Sequence, residues 1–546
     1  AEIGRVSSDQ RPAGLAFNNP IWRQGRIAGF EKSEGRLRCP DRRCEFGNRP
    51  SARLPVDVVD SVLYETPPSL VIGTVDKFAT IPRRPEAGSL FGLRREGRAT
   101  RRHRPPPGLI IQDELHLISG PLGTMCALYE AAIERFCSLE TEGGIRRPKI
   151  VSSTATIRGA DAQVRALFAR EKVALFPSPG LLMGDSFFGR YARRADGSLS
   201  PGRLYAGIHA PEFGSAQTTQ VRVFSAALHG AGRPEVADRD PWWTLLAFYN
   251  SIRELSGART LFDSDIGSRL GHLRHREQLG RRDDGTLEGR TRPSPIELTS
   301  RLSQPLVIET MRRLETSVGD DAVVGACLAS NIIEVGVDID RLSLMSVVGQ
   351  PKSTAQYIQV TGRVGRRWWE RPGLIFTLFS TGKSRDRSHF EHFHGYHRRL
   401  YEQVEPTTAT PFADSAMERG LPGVLLTWAR LRRTEGVTEF HAYREEVDSC
   451  REIVLERARF VLDGRPAELQ RAEERINSVA DELLRRWRDY GPQEWSAFPQ
   501  AGDRFYLMLN PGEFATPDQR RRGVDVPQSM RQVDASAELA ITGFYD

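Results

Sequence analysis

Two adjacent carboxylates follow a short apolar segment in the first quarter of the chain. Asp113 and Glu114 come directly after residues 109–112, a predicted buried strand. In open α/β sheets, ligands bind beyond the carboxyl ends of the strands. Phosphoryl transfer needs oxygen ligands for Mg²⁺ and a group that orients the attacking water. The pattern therefore predicts that Asp113 holds Mg²⁺ and that Glu114 orients the water, although an acidic pair is also typical of a solvated turn.

A pair of hydroxyl side chains follows the next predicted strand of this region, residues 149–152. The segment is Thr154-Ala155-Thr156. We expect the hydroxyls of Thr154 and Thr156 to hydrogen-bond His116 or Asp113 across neighbouring strand ends. Because threonine is common in strands, this pair is a weak signal unless the carboxylates lie beside it.

Two arginines flank a glycine-containing turn after the predicted strand at 344–348. The segment is Gln359-Val360-Thr361-Gly362-Arg363-Val364-Gly365-Arg366. Glycines allow backbone and guanidinium groups to approach a ligand closely, and arginine suits the charge that develops on a γ-phosphate. The spacing favours a phosphate site over an exposed basic turn.

These residues follow strands in two alternating β/α series, which predict parallel sheets. The first series predicts strands at 70–74, 109–112, 149–152 and 173–176, with helices at about 124–138 and 160–170. The second series predicts strands at 203–208, 259–262, 296–299, 323–328, 344–348 and 373–379.

Four regions are expected along the chain. Residues 1–60 are irregular, 61–200 and 201–382 are α/β domains, and 383–546 are mainly helical, with amphipathic helix at 440–490. The expected fold class is therefore α/β, with two parallel-sheet domains and a helical C-terminal region.

The composition predicts a folded protein, and its positive charge favours a polyanionic partner, although many basic proteins have none. The 77 basic residues outnumber the 70 acidic ones, giving a net charge of +7 and a pI near 9.2. Six cysteines without a dense framework, and no secretory pattern, predict a reducing, cytoplasmic compartment. The apolar runs are far shorter than the roughly 20 residues of a membrane span, so no membrane partner is expected.

The motifs resemble those of superfamily 2 helicases, and they occur along the chain in the same order as in that family. Asp113-Glu114-Leu115-His116 resembles motif II, and Thr154-Ala155-Thr156 resembles motif III. Residues 330–338 resemble motif V, and residues 359–366 resemble motif VI. The resemblance implies two RecA-like domains of the P-loop NTPase fold, the first truncated, with ATP and Mg²⁺ as cofactors. It implies an ATP hydrolase coupled to translocation or unwinding.

The resemblance also implies roles for individual residues. His116 and Gln359 join the catalytic set, with Gln359 sensing the γ-phosphate. Arg363 and Arg366 act as arginine fingers. Thr154 and Thr156 are implied to couple hydrolysis to movement. Gly336 and Asp338 are implied to bind ATP and to link it to the bound nucleic-acid strand. The residues implied to contact nucleic acid are Thr74, Lys77, Arg158 and Ser330.

A narrower likeness lies in the segments around the motifs. Residues 69–79, 111–123, 154–158, 185–188, 202–205 and 529–531 are similar to the DrmA-like helicase subunits of the DISARM anti-phage system. This implies a bacterial defence motor that acts on DNA with a DrmB-like partner subunit. The motifs do not separate DNA from RNA, so another superfamily 2 translocase stays open.

The phosphate-binding loop of such motors, GxxxxGK followed by Ser or Thr, has no match. Gly382-Lys383-Ser384 has Thr377 in place of the preceding glycine and follows motif VI, so we interpret it as unrelated. We expect the true loop to lie upstream of Ala1, and this chain alone to be a poor ATPase. A degenerate ATPase, or a non-catalytic scaffold with a vestigial motor fold, is the alternative.

Two further groups have metal-ligand residue types. Cys39 and Cys44 are interpreted as half of a Zn²⁺ site with its other ligands upstream, or as two free thiols of a surface loop. His389 and His392 share a predicted helix face, but the aromatic residues among them favour packing over metal binding.

Overall fold

The computed structural model describes residues 30–31, 36–37, 39, 43–46, 49, 54–154, 159–176, 187–200, 202–233, 236, 238–281, 288–291, 293–320, 322–330, 339–496, 504–511 and 515–531. The chain divides into two compact units. Unit 1 comprises residues 1–154, 159–173 and 407–546, and unit 2 comprises residues 155–158 and 174–406. In the parts described, no helix combines the length and apolar character needed to cross a membrane.

The strands in chain order are β1 (Phe30–Glu31), β2 (Arg36–Leu37), β3 (Leu93–Glu96), β4 (Ala99–Arg102), β5 (Leu109–Gln112), β6 (Leu139–Thr141), β7 (Gly144–Arg146), β8 (Lys149–Ser152), β9 (Arg203–His209), β10 (Leu245–Tyr249), β11 (Pro295–Leu298), β12 (Ala326–Ala329), β13 (Leu344–Val348), β14 (Gly373–Phe379), β15 (Met508–Leu509) and β16 (Val524–Asp525).

The helices are α1 (Asp60–Glu65), α2 (Asp76–Ala79), α3 (Gly120–Phe136), α4 (Ala160–Phe168), α5 (Ala216–Ala231), α6 (Asp240–Trp243), α7 (Ile252–Asp263), α8 (Asp265–Arg276), α9 (Gln304–Glu315), α10 (Thr354–Thr361), α11 (Ser384–Glu391), α12 (Phe393–Arg398), α13 (Asp414–Arg432), α14 (Phe440–Val461), α15 (Pro466–Tyr490) and α16 (Pro517–Arg522).

Unit 2 is built on a six-stranded parallel sheet with the order β11-β12-β10-β13-β14-β9. Every residue of the central strand β10 is buried, because alternate side chains enter different cores. Leu246 and Phe248 pack into one core, whereas Leu245, Ala247 and Tyr249 pack into the other. A parallel sheet covered on both faces is the α/β architecture that the sequence predicted.

One predicted strand of unit 2 is wrong. Residues 259–262 lie within helix α7, and the strand of this region is β10, which the sequence reading missed. The helix begins where the Ser251 hydroxyl accepts a hydrogen bond from the Glu254 backbone N–H at 3.2 Å. Leu255, Ala258 and Phe262 then repeat at helical spacing on its buried face.

Unit 1 combines a parallel strand pair, β5 and β8, with a helical core. The core contains Leu128 from α3, Leu425 from α13, Val454 from α14 and Leu483 from α15, all fully buried. The mainly helical character predicted for the C-terminal region is confirmed by α13, α14 and α15. Helices α13 and α14 pack against α3, and α15 packs against α13 and α14, so these helices share one core with α3.

Two other predicted strands, 70–74 and 173–176, form no strand in the described residues. Apolar runs alone predicted them, but a strand also needs a hydrogen-bonded neighbour. Among the residues with described structure, β5 and β8 pair only with each other. Ile72 is 89% exposed as a result. Leu109, Ile111 and Val151 of the strand pair are exposed as well.

Candidate functional site

The loop that carries the two carboxylates is joined by backbone hydrogen bonds to the residues after β8. The Ser153 N–H donates to the Gln112 carbonyl, and the Leu115 N–H donates to the Ser153 carbonyl, each at 2.9 Å. These bonds extend the parallel pairing of β5 and β8 beyond their last residues. The two strand ends predicted to meet are therefore adjacent.

Asp113 is oriented through one of its two carboxylate oxygens. Oδ1 accepts a hydrogen bond from the Ser153 hydroxyl and another from the Glu114 N–H at 3.0 Å. Oδ2 accepts none from the described residues, and the side chain is exposed to solvent. Asp113 is thus fixed in direction while one oxygen stays available to a ligand such as a metal ion.

Glu114 has a left-handed backbone, with φ 53° and ψ 48°. A residue with a Cβ pays about 1–3 kcal/mol for such a conformation, which persists where the surroundings impose it and often marks a functional loop. Its side chain is 44% exposed, and Oε2 lies 3.4 Å from Nδ1 of the buried His116. Thr154 Oγ1 lies 3.4 Å from the same nitrogen. Glu114 and Thr154 therefore converge on one imidazole.

Gln163 of α4 positions this loop, and the sequence reading missed it. Its fully buried side-chain amide donates to the carbonyl oxygens of Leu115 and Ile118 at 3.0 and 2.9 Å. On the other side of the loop, the Gly120 N–H donates to the Thr408 carbonyl at 2.7 Å. A polar residue on the inner face of a helix was the one local signal that could have identified Gln163.

Two residues predicted to contact nucleic acid, Thr74 and Lys77, lie elsewhere in unit 1, at the start of α2. Thr74 is exposed, and its carbonyl accepts the Lys77 N–H at 3.1 Å. The Lys77 ammonium pairs with Asp60 at 2.6 Å, and both side chains are more than half exposed. Such a pair is worth at most about 1 kcal/mol, so a phosphate can replace the carboxylate.

The arginine loop of unit 2, residues 362–366, leaves the end of α10. That helix begins where the Ser353 hydroxyl accepts the Gln356 N–H at 3.2 Å. Gln359, Arg363 and Arg366 are all partly exposed. The structure thus places these three predicted residues on one helix end and its following turn.

Glycine is required in this loop because the backbone passes directly against another strand. Gly365 has φ 64°, and a Cβ there would lie 2.4 Å from the backbone nitrogen of Gly373. Arg203, at the start of β9, donates from Nε to the Val364 carbonyl and from Nη2 to the Gly362 carbonyl, both at 3.1 Å. Arg203 is a positioning residue that the motif spacing did not reveal.

Two more polar residues lie at the carboxyl ends of the unit 2 strands. Ser330 follows β12, is buried, and donates its backbone N–H to the Leu298 carbonyl at 3.2 Å. Asn250 follows β10 and donates its side-chain amide to the carbonyls of Val348 and Gly349 at 3.0 and 3.1 Å. Asn250 was missed because β10 was missed.

The Gly382-Lys383-Ser384 segment connects β14 to helix α11. It lacks the glycine spacing of a phosphate-binding loop, and its side chains make contacts within unit 2. The Lys383 ammonium pairs with Glu254 at 2.9 Å. Two residues after Ser384, the fully buried Asp386 accepts the N–H groups of Gln350 and Ser380 at 3.2 and 2.8 Å. Asp386 therefore joins the residues that follow β13 and β14 by hydrogen bonds.

Four of the predicted site residues, Thr156, Arg158, Gly336 and Asp338, lie outside the described residues. Cys39 is buried and Cys44 partly exposed, and the ranges with assigned structure contain no group of three or more metal-ligand side chains. His389 and His397 pack against rings, with centroids 4.7 Å from Tyr396 and 4.1 Å from Phe393. Burial lowers the pKa of both imidazoles.

Comparisons with known proteins match this chain to helicase and DISARM proteins. The helicase conserved C-terminal domain family matches residues 290–367, which include the arginine loop. The DISARM protein DrmA of Bacillus paralicheniformis is 33% identical over 555 residues, which cover 94% of this chain and 47% of DrmA. The chain thus spans about half the length of that relative.

Two solved helicase structures also align with the chain. The helicase MrfA bound to DNA and AMPPNP is 17% identical, with a TM-score of 0.44, over 68% of this chain and 42% of MrfA. Lhr of Mycobacterium smegmatis, bound to single-stranded DNA and AMP-PNP, is 15% identical, with a TM-score of 0.42, over 71% of this chain and 40% of Lhr.

The arginine loop and three strands of the unit 2 sheet, β11, β12 and β13, lie within the residues that match the helicase conserved C-terminal domain. By sequence identity, the chain is a relative of the DISARM protein DrmA.

Proposed function

We propose that this chain is part of an ATP-driven motor that translocates along or unwinds nucleic acid in bacterial anti-phage defence. The observation that carries the proposal is the loop after β5, where Asp113 is held by Ser153 and Glu114 has a left-handed backbone beside His116 and Thr154. The 33% identity to DrmA supports the defence role.

In this proposal, Asp113 holds Mg²⁺ through its available Oδ2 oxygen. Mg²⁺ is usually bound by one or two carboxylates together with substrate phosphates and waters, so a full cage of protein ligands is not needed. When bound, the ion neutralises charge on the β- and γ-phosphates of ATP. Glu114 orients the attacking water, and His116, which Thr154 contacts, holds the Glu114 carboxylate in place.

The arginine loop supplies the complementary positive charge. Arg363 and Arg366 act as arginine fingers, which stabilise charge on the transferred phosphoryl group, and Gln359 senses the γ-phosphate. The Arg203 hydrogen bonds to the loop carbonyls fix the backbone that presents both guanidinium groups. In this proposal, Thr154 and Thr156 couple ATP hydrolysis to movement. Gly336 and Asp338 bind the nucleotide.

The proposed substrate is DNA, with a DrmB-like partner subunit in the cytoplasm. Thr74, Lys77, Arg158 and Ser330 are the proposed contacts to the strand. Lys77 would exchange its exposed Asp60 partner for a backbone phosphate. Contacts of this kind position nucleic acid without reading its sequence.

The test compares Glu114→Gln with the unmodified full-length protein. We expect loss of nucleic-acid-stimulated ATP hydrolysis by at least about 100-fold, because the group that orients water is removed, with unchanged DNA affinity. The matched control is Glu142→Gln, an exposed carboxylate in the turn between β6 and β7 of the same unit. The control should hydrolyse ATP at the normal rate.

Undiminished hydrolysis by Glu114→Gln would contradict the proposed site. If the unmodified full-length protein binds DNA but hydrolyses no ATP, the scaffold alternative replaces the motor. Stimulation by RNA and not by DNA would keep the motor and replace its substrate.

A further inference from the structure

An exposed hairpin of unit 1 carries a concentration of arginines that the helicase motifs do not use. Strands β3 and β4 pair antiparallel, so that Arg94 lies directly opposite Arg101, and Leu93 lies opposite Arg102. Neighbouring residues of a strand point to opposite faces. One face therefore carries Leu93 and Arg102, and the other carries Arg94 and Arg101.

The first face anchors the hairpin to the protein. Leu93 packs against the core of unit 1, and Arg102 donates to the carbonyls of Phe91 and Phe136 at 2.9 and 3.0 Å. The turn is held as well, because the Thr434 hydroxyl donates to the Gly97 carbonyl at 2.5 Å. With both ends attached, the hairpin is a rigid support for its outer side chains.

The other face carries Arg94 and Arg101, and together with Arg98 of the turn these residues form what we call the arginine face. All three are exposed, and Arg101 is 77% exposed at its side chain. The guanidinium groups of Arg94 and Arg98 make no hydrogen bond or ion pair with any residue the structure describes.

One carboxylate, Glu96, is present on the hairpin. It lies 3.7 Å from Arg101 and also contacts His103, which holds the pKa of Glu96 below its ordinary value. One carboxylate cannot balance the three arginines of the arginine face. Like charges directly opposite each other, as Arg94 and Arg101 are, destabilise a hairpin, so an anion across the pair would be stabilising.

We propose that the arginine face is a second nucleic-acid contact, which binds backbone phosphates independently of the helicase motifs. The inference rests on the proposed motor function for the identity of the polyanion. Arginine binds phosphate with two parallel hydrogen bonds. An acidic protein is the less suitable partner, because protein interfaces are centred on aromatic and apolar side chains, and Ala99 is the one apolar residue here.

The test measures binding of a labelled DNA duplex to the full-length protein without nucleotide, across a series of salt concentrations. The variant carries Arg94→Gln, Arg98→Gln and Arg101→Gln, and it leaves the anchoring Arg102 unchanged. Each phosphate contact contributes about 0.9 to the slope of log affinity against log salt concentration. We expect the slope to become less steep by about 2 to 3, with affinity lowered at least about tenfold at low salt.

The matched control removes the same charge from exposed arginines on helices α14 and α15 of unit 1, as Arg444→Gln, Arg471→Gln and Arg488→Gln. Its slope should stay within about 0.5 of the unmodified protein. Equal changes in both variants, or an unchanged slope in the hairpin variant with the same melting temperature, would overturn the inference. Because no ATP is present, the result is independent of whether Glu114 acts in hydrolysis.

Discussion

The Ser153 hydroxyl donates a hydrogen bond to Oδ1 of Asp113, so the first residue after β8 orients the first residue after β5. The backbone bonds between these strand ends fix where the two residues lie. The hydrogen bond from the Ser153 hydroxyl fixes the orientation of the Asp113 carboxylate, and it leaves Oδ2 available to a ligand. Ser153 was not among the predicted site residues, although it precedes Thr154.

We predict that Ser153→Ala lowers stimulated ATP hydrolysis by roughly tenfold, because a hydrogen bond to a charged group contributes about 1.5–3 kcal/mol. DNA affinity should not change. Initial rates at saturating DNA and varied Mg²⁺ measure the effect, and extra Mg²⁺ should restore part of the rate. The control is Ser152→Ala, whose hydroxyl makes no hydrogen bond to the described residues. Equal rates for both variants would refute the orienting role.

A buried ion-pair network should make Glu134 important for stability. Its carboxylate lies 3.0 Å from Arg457 and 2.9 Å from Arg170, and Glu134 and Arg457 are both less than a tenth exposed. Glu134→Ala leaves buried positive charge uncompensated, and we expect a loss of about 3–5 kcal/mol in the free energy of unfolding. Chemical denaturation measures it. Glu140→Ala, at an exposed pair with Arg135, should cost less than about 1 kcal/mol.

Glu130 should make the protein less stable as the pH rises. Burial raises its pKa to about 8, with Oε1 shielded from solvent and without a hydrogen-bond partner in the described residues. The folded state therefore keeps a proton that the unfolded chain loses near its ordinary pKa of 4.5. This contribution to stability is complete below that value and is lost as the pH rises through about 8.

We therefore predict that Glu130→Gln, which is neutral at every pH, weakens the fall in melting temperature between about pH 5 and pH 8. Thermal unfolding at several pH values tests this, with Glu142→Gln expected to behave like the unmodified protein. Parallel curves for Glu130→Gln and the unmodified protein would show that Glu130 is ionised in the folded state.

Asp386 should stabilise unit 2 through the ends of β13 and β14. Its buried carboxylate accepts the N–H groups of Gln350 and Ser380. Asp386→Ala leaves the buried Gln350 N–H and the partly buried Ser380 N–H without this acceptor. Because an unsatisfied buried donor costs about 1–3 kcal/mol, we expect a loss of roughly 2–4 kcal/mol. Glu391→Ala on the same helix removes an exposed pair with Arg387 and should cost less than about 0.5 kcal/mol. A loss below 1 kcal/mol for Asp386→Ala would contradict the assignment.

Strands with continuous apolar runs between turn residues were predictable from the sequence. β5, β8, β13 and β14 have the predicted bounds, and the polar residues that follow them lie at the strand ends as expected. The period of side chains along a strand and the common direction of parallel strands are local properties. They suffice to bring Asp113 and Thr154 into one place.

Contacts between distant residues could not be predicted. An apolar run of four residues fits either a strand or a buried helix face, so residues 259–262 were wrongly predicted as a strand. Gln163 acts on a loop 45 to 48 residues earlier, and Arg203 acts on a loop about 160 residues later. No local pattern encodes such pairs. The bounds of the four expected regions, drawn from the strand and helix pattern and from linker composition, stay predictions.

The split of unit 1 in the sequence has a consequence for folding during synthesis. Unit 2 is inserted within unit 1, and Arg457 follows its partner Glu134 by 323 residues. A ribosome adding about 5–20 residues per second takes roughly 16–65 s to cover that interval. Unit 2 can therefore fold completely on the ribosome before α13 and α14 are synthesised, and during that time the apolar face of α3 lacks the helices that bury it. This interval is when the nascent chain is most open to chaperone binding and to aggregation.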